Sequence, residues 1–255
     1  MINLIDFTGK NIIVTGASSG IGKSISVSLS KLGANVVLIA RREEELKSVK
    51  NLLEDGNHMI IPYDLKNLDG IKDMVDDVVS TVGKLDGMFY AAGIGNAHPV
   101  KLLSNDILKE LFEVNYYPFI ELIRCISRKG KYNSGARIVG VSSIAAKCGD
   151  AGLTGYSSTK AAMEAAIRSM SRELSSKGIV INSLAPAMTN TIMYTDYVER
   201  YGENSNSEKR LLERQYLGIA DVQDIVNCGL FLLSDISKYI AGVTFYADGG
   251  YTSVQ

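Results

Sequence analysis

The sequence predicts an α/β fold: one doubly wound parallel sheet of about seven strands with helices on both faces, in a single domain over residues 1–255. Three observations carry this. Short aliphatic, β-branched runs recur along the chain and are apolar almost without interruption, as strands buried on both faces must be. Helix-periodic stretches separate them, in the alternation that right-handed crossovers between parallel strands require. At this spacing the runs use up all 255 residues. Hydrophobic residues at 46% and charged residues at 22% match an average globular chain. A net charge of −1 offers no basic excess for nucleic acid.

In order, the run 11–15 (Asn-Ile-Ile-Val-Thr) leads into a helical pattern over Ile21–Leu32. Asn35–Ala40 precedes a helix over Glu43–Leu53, and Met59–Pro62 precedes one over Leu68–Val82. Gly87–Ala91 precedes a single long helical segment, Asn105–Arg128. Arg137–Ser142 and Ile179–Ser183 bracket a helix over Tyr156–Ser176; a helix over Val222–Leu233 and a last run, Val243–Tyr246, follow. Residues 188–215 break the alternation. They are polar and tyrosine-rich, which suits either a disordered insertion or, as we read them, a substrate lid. No stretch approaches 18 apolar residues, so no membrane span is expected. The start, Met1 to Phe7, lacks the basic segment of a signal peptide. Cys125, Cys148 and Cys228 are far apart and odd in number, which fits a reducing, cytoplasmic setting. His58 reads as a surface residue, and His98 is assigned no chemistry. No metal-ligand pattern is present, so no metal is expected.

Between the first strand and the first helix stands Thr15-Gly16-Ala17-Ser18-Ser19-Gly20-Ile21-Gly22. Glycines at a strand–turn–helix junction permit a tight turn and close approach of the backbone to a pyrophosphate, while the helix N-terminus aims free N–H groups at it. Gly16, Ser18, Ser19, Gly20, Ile21 and Gly22 are therefore candidate cofactor-binding residues. The second strand ends in Ala40-Arg41-Arg42, with no carboxylate to take a ribose 2′-hydroxyl. An arginine there accommodates a 2′-phosphate, so Arg41 and Arg42 favour NADPH/NADP over NAD. The alternative is that both are solvated charges pairing with Glu43, Glu44 and Glu45.

Tyr156-Ser-Ser-Thr-Lys160 puts a phenol and an ammonium one turn apart on a helix face. A tyrosine at its usual pKa of about 10 is a poor proton donor at neutral pH, and a lysine cation nearby lowers that value. Ser143 lies thirteen residues earlier, at the carboxyl end of a strand, where such sheets bind ligands. Ser142 competes with it; spacing to the tyrosine selects Ser143.

With these motifs the sequence resembles the short-chain dehydrogenase/reductase family over essentially its whole length, which implies a Rossmann-type dinucleotide fold. The resemblance implies that Ser143 holds the substrate oxygen, Tyr156 exchanges a proton with it, and Lys160 also binds the nicotinamide ribose. Asn115 matches the family's fourth member, supporting a water-linked relay through Lys160. Asp64 matches an adenine-contacting aspartate, although a helix cap is an equal reading. Tyr90-Ala91-Ala92-Gly93 stands for the family's Asn-Asn-Ala-Gly, keeping Ala92 and Gly93, with Gly93 expected beside the adenosine. Pro186, Thr189 and Thr191 fall in the segment over the nicotinamide carboxamide, with Ala187 in place of a glycine. Ser19 occupies the place of the family's other basic marker.

The nearest subfamily resemblance is to 3-oxoacyl-acyl-carrier-protein reductases and similar ketoreductases. It implies NADPH-dependent reduction of a carbonyl, with a small-molecule carbonyl or alcohol as substrate. A carrier-protein-linked substrate would dock through Arg172 and, approximately, Arg128. Alcohol, polyol or sugar dehydrogenases of the same family, and a non-catalytic NADPH-binding sensor, are the rival readings. Homo-oligomerisation as a dimer or tetramer is also implied.

Overall fold

A computed structural model describes residues 5–95, 97–191, 194–195, 209 and 212–253. Seven parallel strands form one sheet: β1 (Asn11–Thr15), β2 (Asn35–Ala40), β3 (Met59–Pro62), β4 (Leu85–Tyr90), β5 (Tyr132–Val141), β6 (Val180–Pro186) and β7 (Thr244–Ala247). Their order is β3-β2-β1-β4-β5-β6-β7. The strand order reverses between β1 and β4, whose registers pair Ile12 with Gly87 and Thr15 with Tyr90. A crevice for a ligand opens at such a switch point, outside the carboxyl ends of the strands.

Period-two alternation assigns each strand residue to a side. Ile13 joins the core under one face, whereas Ile12 and Val14 join the other. The first side is closed by α3 (Ile71–Val82), α5 (Tyr117–Ile126) and α6 (Thr154–Leu174), through Met74, Val78, Phe119, Ile123, Met163 and Ile167. The second is closed by α1 (Gly20–Lys31), α2 (Glu43–Lys50) and α7 (Val222–Leu233), through Ile25, Leu29, Leu46, Val226 and Leu230. Sequence patterning is thus satisfied on both faces, as a doubly wound sheet requires. No helix among the described residues is long and apolar enough to cross a membrane.

The expected continuous helix over 105–128 is two helices. α4 (Asn105–Asn115) starts at Ser104, whose hydroxyl accepts the Ile107 N–H at 3.3 Å, and it stops before Tyr116, with φ −121° and ψ −56°. α5 begins one residue later, with a proline in its first turn. Proline tolerates that position but cannot donate to a carbonyl four residues back. Elsewhere α2 stops at Lys50 rather than Leu53, α3 starts at Ile71 rather than Leu68, and β5 starts at Tyr132 rather than Arg137. His58 is half-buried rather than a surface residue: its Nδ1 accepts the Val36 N–H at 3.0 Å, and its Nε2 lies 2.8 Å from the Glu54 carbonyl. Most of the 188–215 segment lies outside the described residues. At its base the buried Gln215 accepts the Met188 N–H at 3.1 Å and donates to the Met188 and Gly218 carbonyls at 2.9 and 2.7 Å.

Candidate active site at the carboxyl edge of the sheet

The glycine turn sits where β1 hands over to α1. Gly16 has φ +64°, and a Cβ there would lie 2.9 Å from the backbone of Ala91 and Ala92, so the turns after β1 and β4 touch. Ala92 N–H donates to Thr15 Oγ1 at 3.1 Å, a tie across the switch point that no motif announced. α1 begins after Ser19, whose side chain makes no capping hydrogen bond, and its first turn carries no acidic residue. Its leading N–H groups and the positive end of its dipole are therefore open to an anion.

Arg42 reaches the same turn. Its Nη2 donates to Ser18 Oγ at 3.2 Å while its Nη1 pairs with Glu45 at 3.3 Å, the exposed ion pair of the alternative reading. Arg41 is exposed beside it. Asp64 is exposed, and its Oδ1 accepts the Lys66 N–H at 3.0 Å, as a turn cap does. Thr191 faces the turn from across the crevice: a Cβ on Gly20 would meet its Cγ2 at 3.8 Å. Thr189 and Thr191 hydroxyls donate to the carbonyls of Ala187 and Thr189, at 3.0 and 3.2 Å, holding the chain after Pro186 in a local coil. An uncapped helix start and contacting turns fit the pyrophosphate of a dinucleotide.

The structure gathers the four chemical candidates. Ser143 follows β5 in extended backbone and caps a short 3₁₀ turn, its Oγ accepting the Ala145 N–H at 3.2 Å. It also stands near the Tyr156 phenol, where it opposes the effect of burial. Burial dominates, so the Tyr156 pKa is raised above its usual value. This departs from the expected lowering by Lys160. The reason is geometric: the Lys160 Nζ donates to the Val141 carbonyl at 2.8 Å and stands 5.7 Å from the centre of the tyrosine ring. Burial lowers the Lys160 pKa to about 8, since desolvation disfavours the ammonium. Ser142 is separated from this chemistry, because its hydroxyl donates to the buried Glu164 at 2.7 Å.

Asn115 is fully buried at the last residue of α4. Its Oδ1 accepts the Ile94 N–H at 2.8 Å, and its Nδ2 donates to the Ile94 carbonyl and to Thr159 Oγ1, both at 3.0 Å. Thr159, missed in the sequence, in turn donates to the Tyr156 carbonyl at 2.7 Å; its position three residues after Tyr156 on the same helix face was the available signal. Gly93 lies in this cluster rather than at an adenosine end. A Cβ on it would stand 3.3 Å from Asn115 Oδ1 and 3.4 Å from Lys160 Nζ.

A cavity of about 430 Å³ opens at the start of α6, lined by Ala97, Pro99, Val100, Asp150, Ala151 and Thr154 among others. His98 N–H donates to the Gly152 carbonyl at 2.8 Å across this mouth. Arg172 and Arg128 are exposed at the far ends of their helical segments, toward the amino edge of the sheet. Arg172 is about 24 Å along α6 from Tyr156, so within one subunit neither arginine flanks the cleft.

Comparison with known proteins agrees with this geometry. A family model described as enoyl-(acyl carrier protein) reductase matches residues 16–252. A 3-oxoacyl-[acyl-carrier-protein] reductase of Rickettsia felis is 32% identical over 252 residues, covering 98% of this chain and 100% of the relative. An L-xylulose reductase of Caenorhabditis elegans is also 32% identical, over 97% of this chain and 98% of its own length. A short-chain type dehydrogenase/reductase from Mycobacterium ulcerans superposes with a TM-score of 0.90 at 26% identity, covering 98% of this chain and 92% of that one. The chain belongs to the short-chain dehydrogenase/reductase family, whose members are oxidoreductases acting on CH–OH and carbonyl groups.

Proposed function

We propose that the protein is an NADPH-dependent reductase of a ketone or 3-oxoacyl group. The observation that carries this is Ser143 standing beside the Tyr156 phenol after β5, with the Lys160 ammonium buried one turn along α6. The bound cofactor supplies the hydride that reaches the carbonyl carbon. Gly16, Ser18, Ser19, Gly20, Ile21 and Gly22 hold its pyrophosphate, and Arg41 and Arg42 its 2′-phosphate. Asp64, Ala92, Gly93, Pro186, Thr189 and Thr191 line its remaining length.

The substrate oxygen enters between the Ser143 and Tyr156 hydroxyls. Ser143 donates a hydrogen bond to it as charge develops, the arrangement that stabilises an oxyanion. Tyr156 stays protonated through neutral pH and donates its proton to the alkoxide. Lys160 restrains the phenol and binds ribose, and Asn115 completes a relay that returns the proton. Run in reverse, the same groups oxidise an alcohol, polyol or sugar, the second reading. A non-catalytic NADPH sensor would have no use for the intact Tyr156–Lys160 pair.

The substrate is a small carbonyl compound or alcohol held in the cavity beside Val100 and Asp150, with residues 188–215 as its lid. A carrier-protein-linked substrate requires a second subunit to bring Arg172 or Arg128 to the mouth. The β7 edge of the sheet is open, and Ile236, Tyr239 and Val243 are exposed around it, which supports a homodimer or homotetramer. The free thiols of Cys125, Cys148 and Cys228 support a cytoplasmic setting.

The test is NADPH oxidation over a panel of 3-oxoacyl thioesters, keto sugars and cyclic ketones, repeated with Arg42→Asp. Turnover of at least one class is expected, and the variant should lose about ten-fold in the NADPH-to-NADH ratio of kcat/KM, near the worth of one charged hydrogen bond. No turnover of any class, or an unchanged ratio, counts against the reading.

Lys160 predicts a pH dependence. Its lowered pKa means that the ammonium is lost above about pH 8, whereas Tyr156 is pushed the other way and keeps its proton there. The kcat/KM profile, which reports the free enzyme, should therefore fall on its alkaline side near pH 8. Lys160→Arg should remove that limb from whatever activity remains, because guanidinium does not deprotonate. A profile flat to pH 10 would show that the Lys160 charge is not required.

A further inference from the structure

We propose that Tyr90 is a positioning residue for Asn115: its hydroxyl replaces the backbone donor that Pro118 removes, and so holds the helix break that seats the Asn115 side chain. This rests on the reductase reading for its functional consequence, but its structural half stands alone.

In an uninterrupted α-helix the carbonyl of residue 114 accepts the N–H of residue 118. Residue 118 is proline and has no N–H. The Val114 carbonyl instead accepts the Tyr90 hydroxyl at 2.8 Å. Tyr90 ends β4, on the strand whose carboxyl end forms the crevice, and is 0% exposed. Its ring stands edge-on to Phe119, with centroids 5.2 Å apart and planes at 62°. The residue after Pro118 thus aims the hydroxyl that compensates for Pro118. Burial raises the Tyr90 pKa, so the group remains a donor over the whole working range.

Asn115 is the residue next to this bond. It makes three side-chain hydrogen bonds, two to the Ile94 backbone and one to Thr159. All three need its Cα in one place, and a helix end with an unbonded carbonyl frays. Tyr90 stands where the family resemblance places an asparagine, so the support for Asn115 is supplied here by a longer side chain from the same strand end.

The experiment is a set of variants read two ways: amide hydrogen exchange at Ile94, whose N–H is held by Asn115, and kcat with NADPH. Tyr90→Phe keeps the ring and removes the donor. It should speed Ile94 exchange by at least about ten-fold while α6 amides stay protected. It should lower kcat roughly ten-fold with KM for NADPH unchanged, as expected when a group near the chemistry is displaced by a fraction of an ångström. Adding Pro118→Ala, which restores an N–H at 118, should return both values to within about two-fold of the Pro118→Ala protein. In an Asn115→Ala background, Tyr90→Phe should still lower Tm but no longer lower kcat. Unchanged Ile94 exchange in Tyr90→Phe overturns the proposal, as does an equal kcat loss with and without Asn115. Absence of turnover in the wild-type protein overturns the reductase reading instead, and leaves the Ile94 exchange to decide the role of Tyr90.

Discussion

Tyr156→Phe should lower kcat about 10³-fold, within the range for loss of a general acid, while the Kd for NADPH stays within about two-fold. The substitution removes one oxygen and keeps the ring. Tyr156 sits in the third position of α6, half-buried, with its hydroxyl near Ser143. Packing of α6 through Met163 and Ile167 is untouched, so the fold and the glycine turn persist. Without the phenol, the alkoxide must take its proton from water or from a less well placed group. Single-turnover rates at saturating cofactor, with a fluorescence titration for binding, make the check. A variant that retains a tenth of wild-type kcat would assign the proton to another group. Loss of cofactor affinity in parallel would make Tyr156 a binding residue only.

Gly22→Ala should weaken NADPH binding by roughly 100-fold, equivalent to about 3 kcal/mol, and lower Tm. A Cβ at Gly22 would overlap the Gly16 carbonyl oxygen, and would come within 2.7 Å of the Gly16 carbon and 3.1 Å of the Thr15 oxygen. These are backbone atoms at the end of β1 and cannot move without the strand. α1 must therefore retreat, and its N–H groups withdraw from the phosphates they would hold. Overpacking of this kind costs about 1–3 kcal/mol in stability before any ligand effect is counted. Gly20 is the control. It has φ +53°, but a Cβ there meets only Thr191 at 3.8 Å, so Gly20→Asn, an amide residue that tolerates this region, should bind far better than Gly22→Ala. Isothermal titration with NADPH decides, and Gly22→Ala binding within three-fold of wild type would remove the turn from the phosphate site.

The sheet was legible because its central strands are buried on both faces, and such a run is apolar in any register; the edge strands β3 and β7 are only half-buried. The glycine turn was legible because its constraint is steric and local, as the Gly16 contact with Ala91 and Ala92 shows. The break between α4 and α5 was not. Phe112, Asn115 and Phe119 keep helical spacing across Tyr116, so hydrophobic periodicity runs through the interruption in phase. Pro118 was visible, but proline is at home in a first helical turn, and it marks the start of α5 rather than the end of α4. The choice between Ser142 and Ser143 rested on spacing; in the fold the Ser142 hydroxyl is engaged by Glu164, while Ser143 stands near Tyr156.

The sequence by itself determined the order of elements, the family and the identity of the groups that gather at the carboxyl edge, because these depend on residue type and spacing along one strand or helix. Tertiary structure alone decided where Gly93 lies, which donor satisfies Val114, and the electrostatic state of the pair. Lys160 loses its water on burial, so its pKa falls, and its ammonium donates to the Val141 carbonyl, 19 residues away; the Tyr156 pKa is not lowered. Charge and burial are properties of neighbours in space, and the neighbours of Lys160 come from β5, the loop after β4 and α4, three segments that a local reading keeps apart.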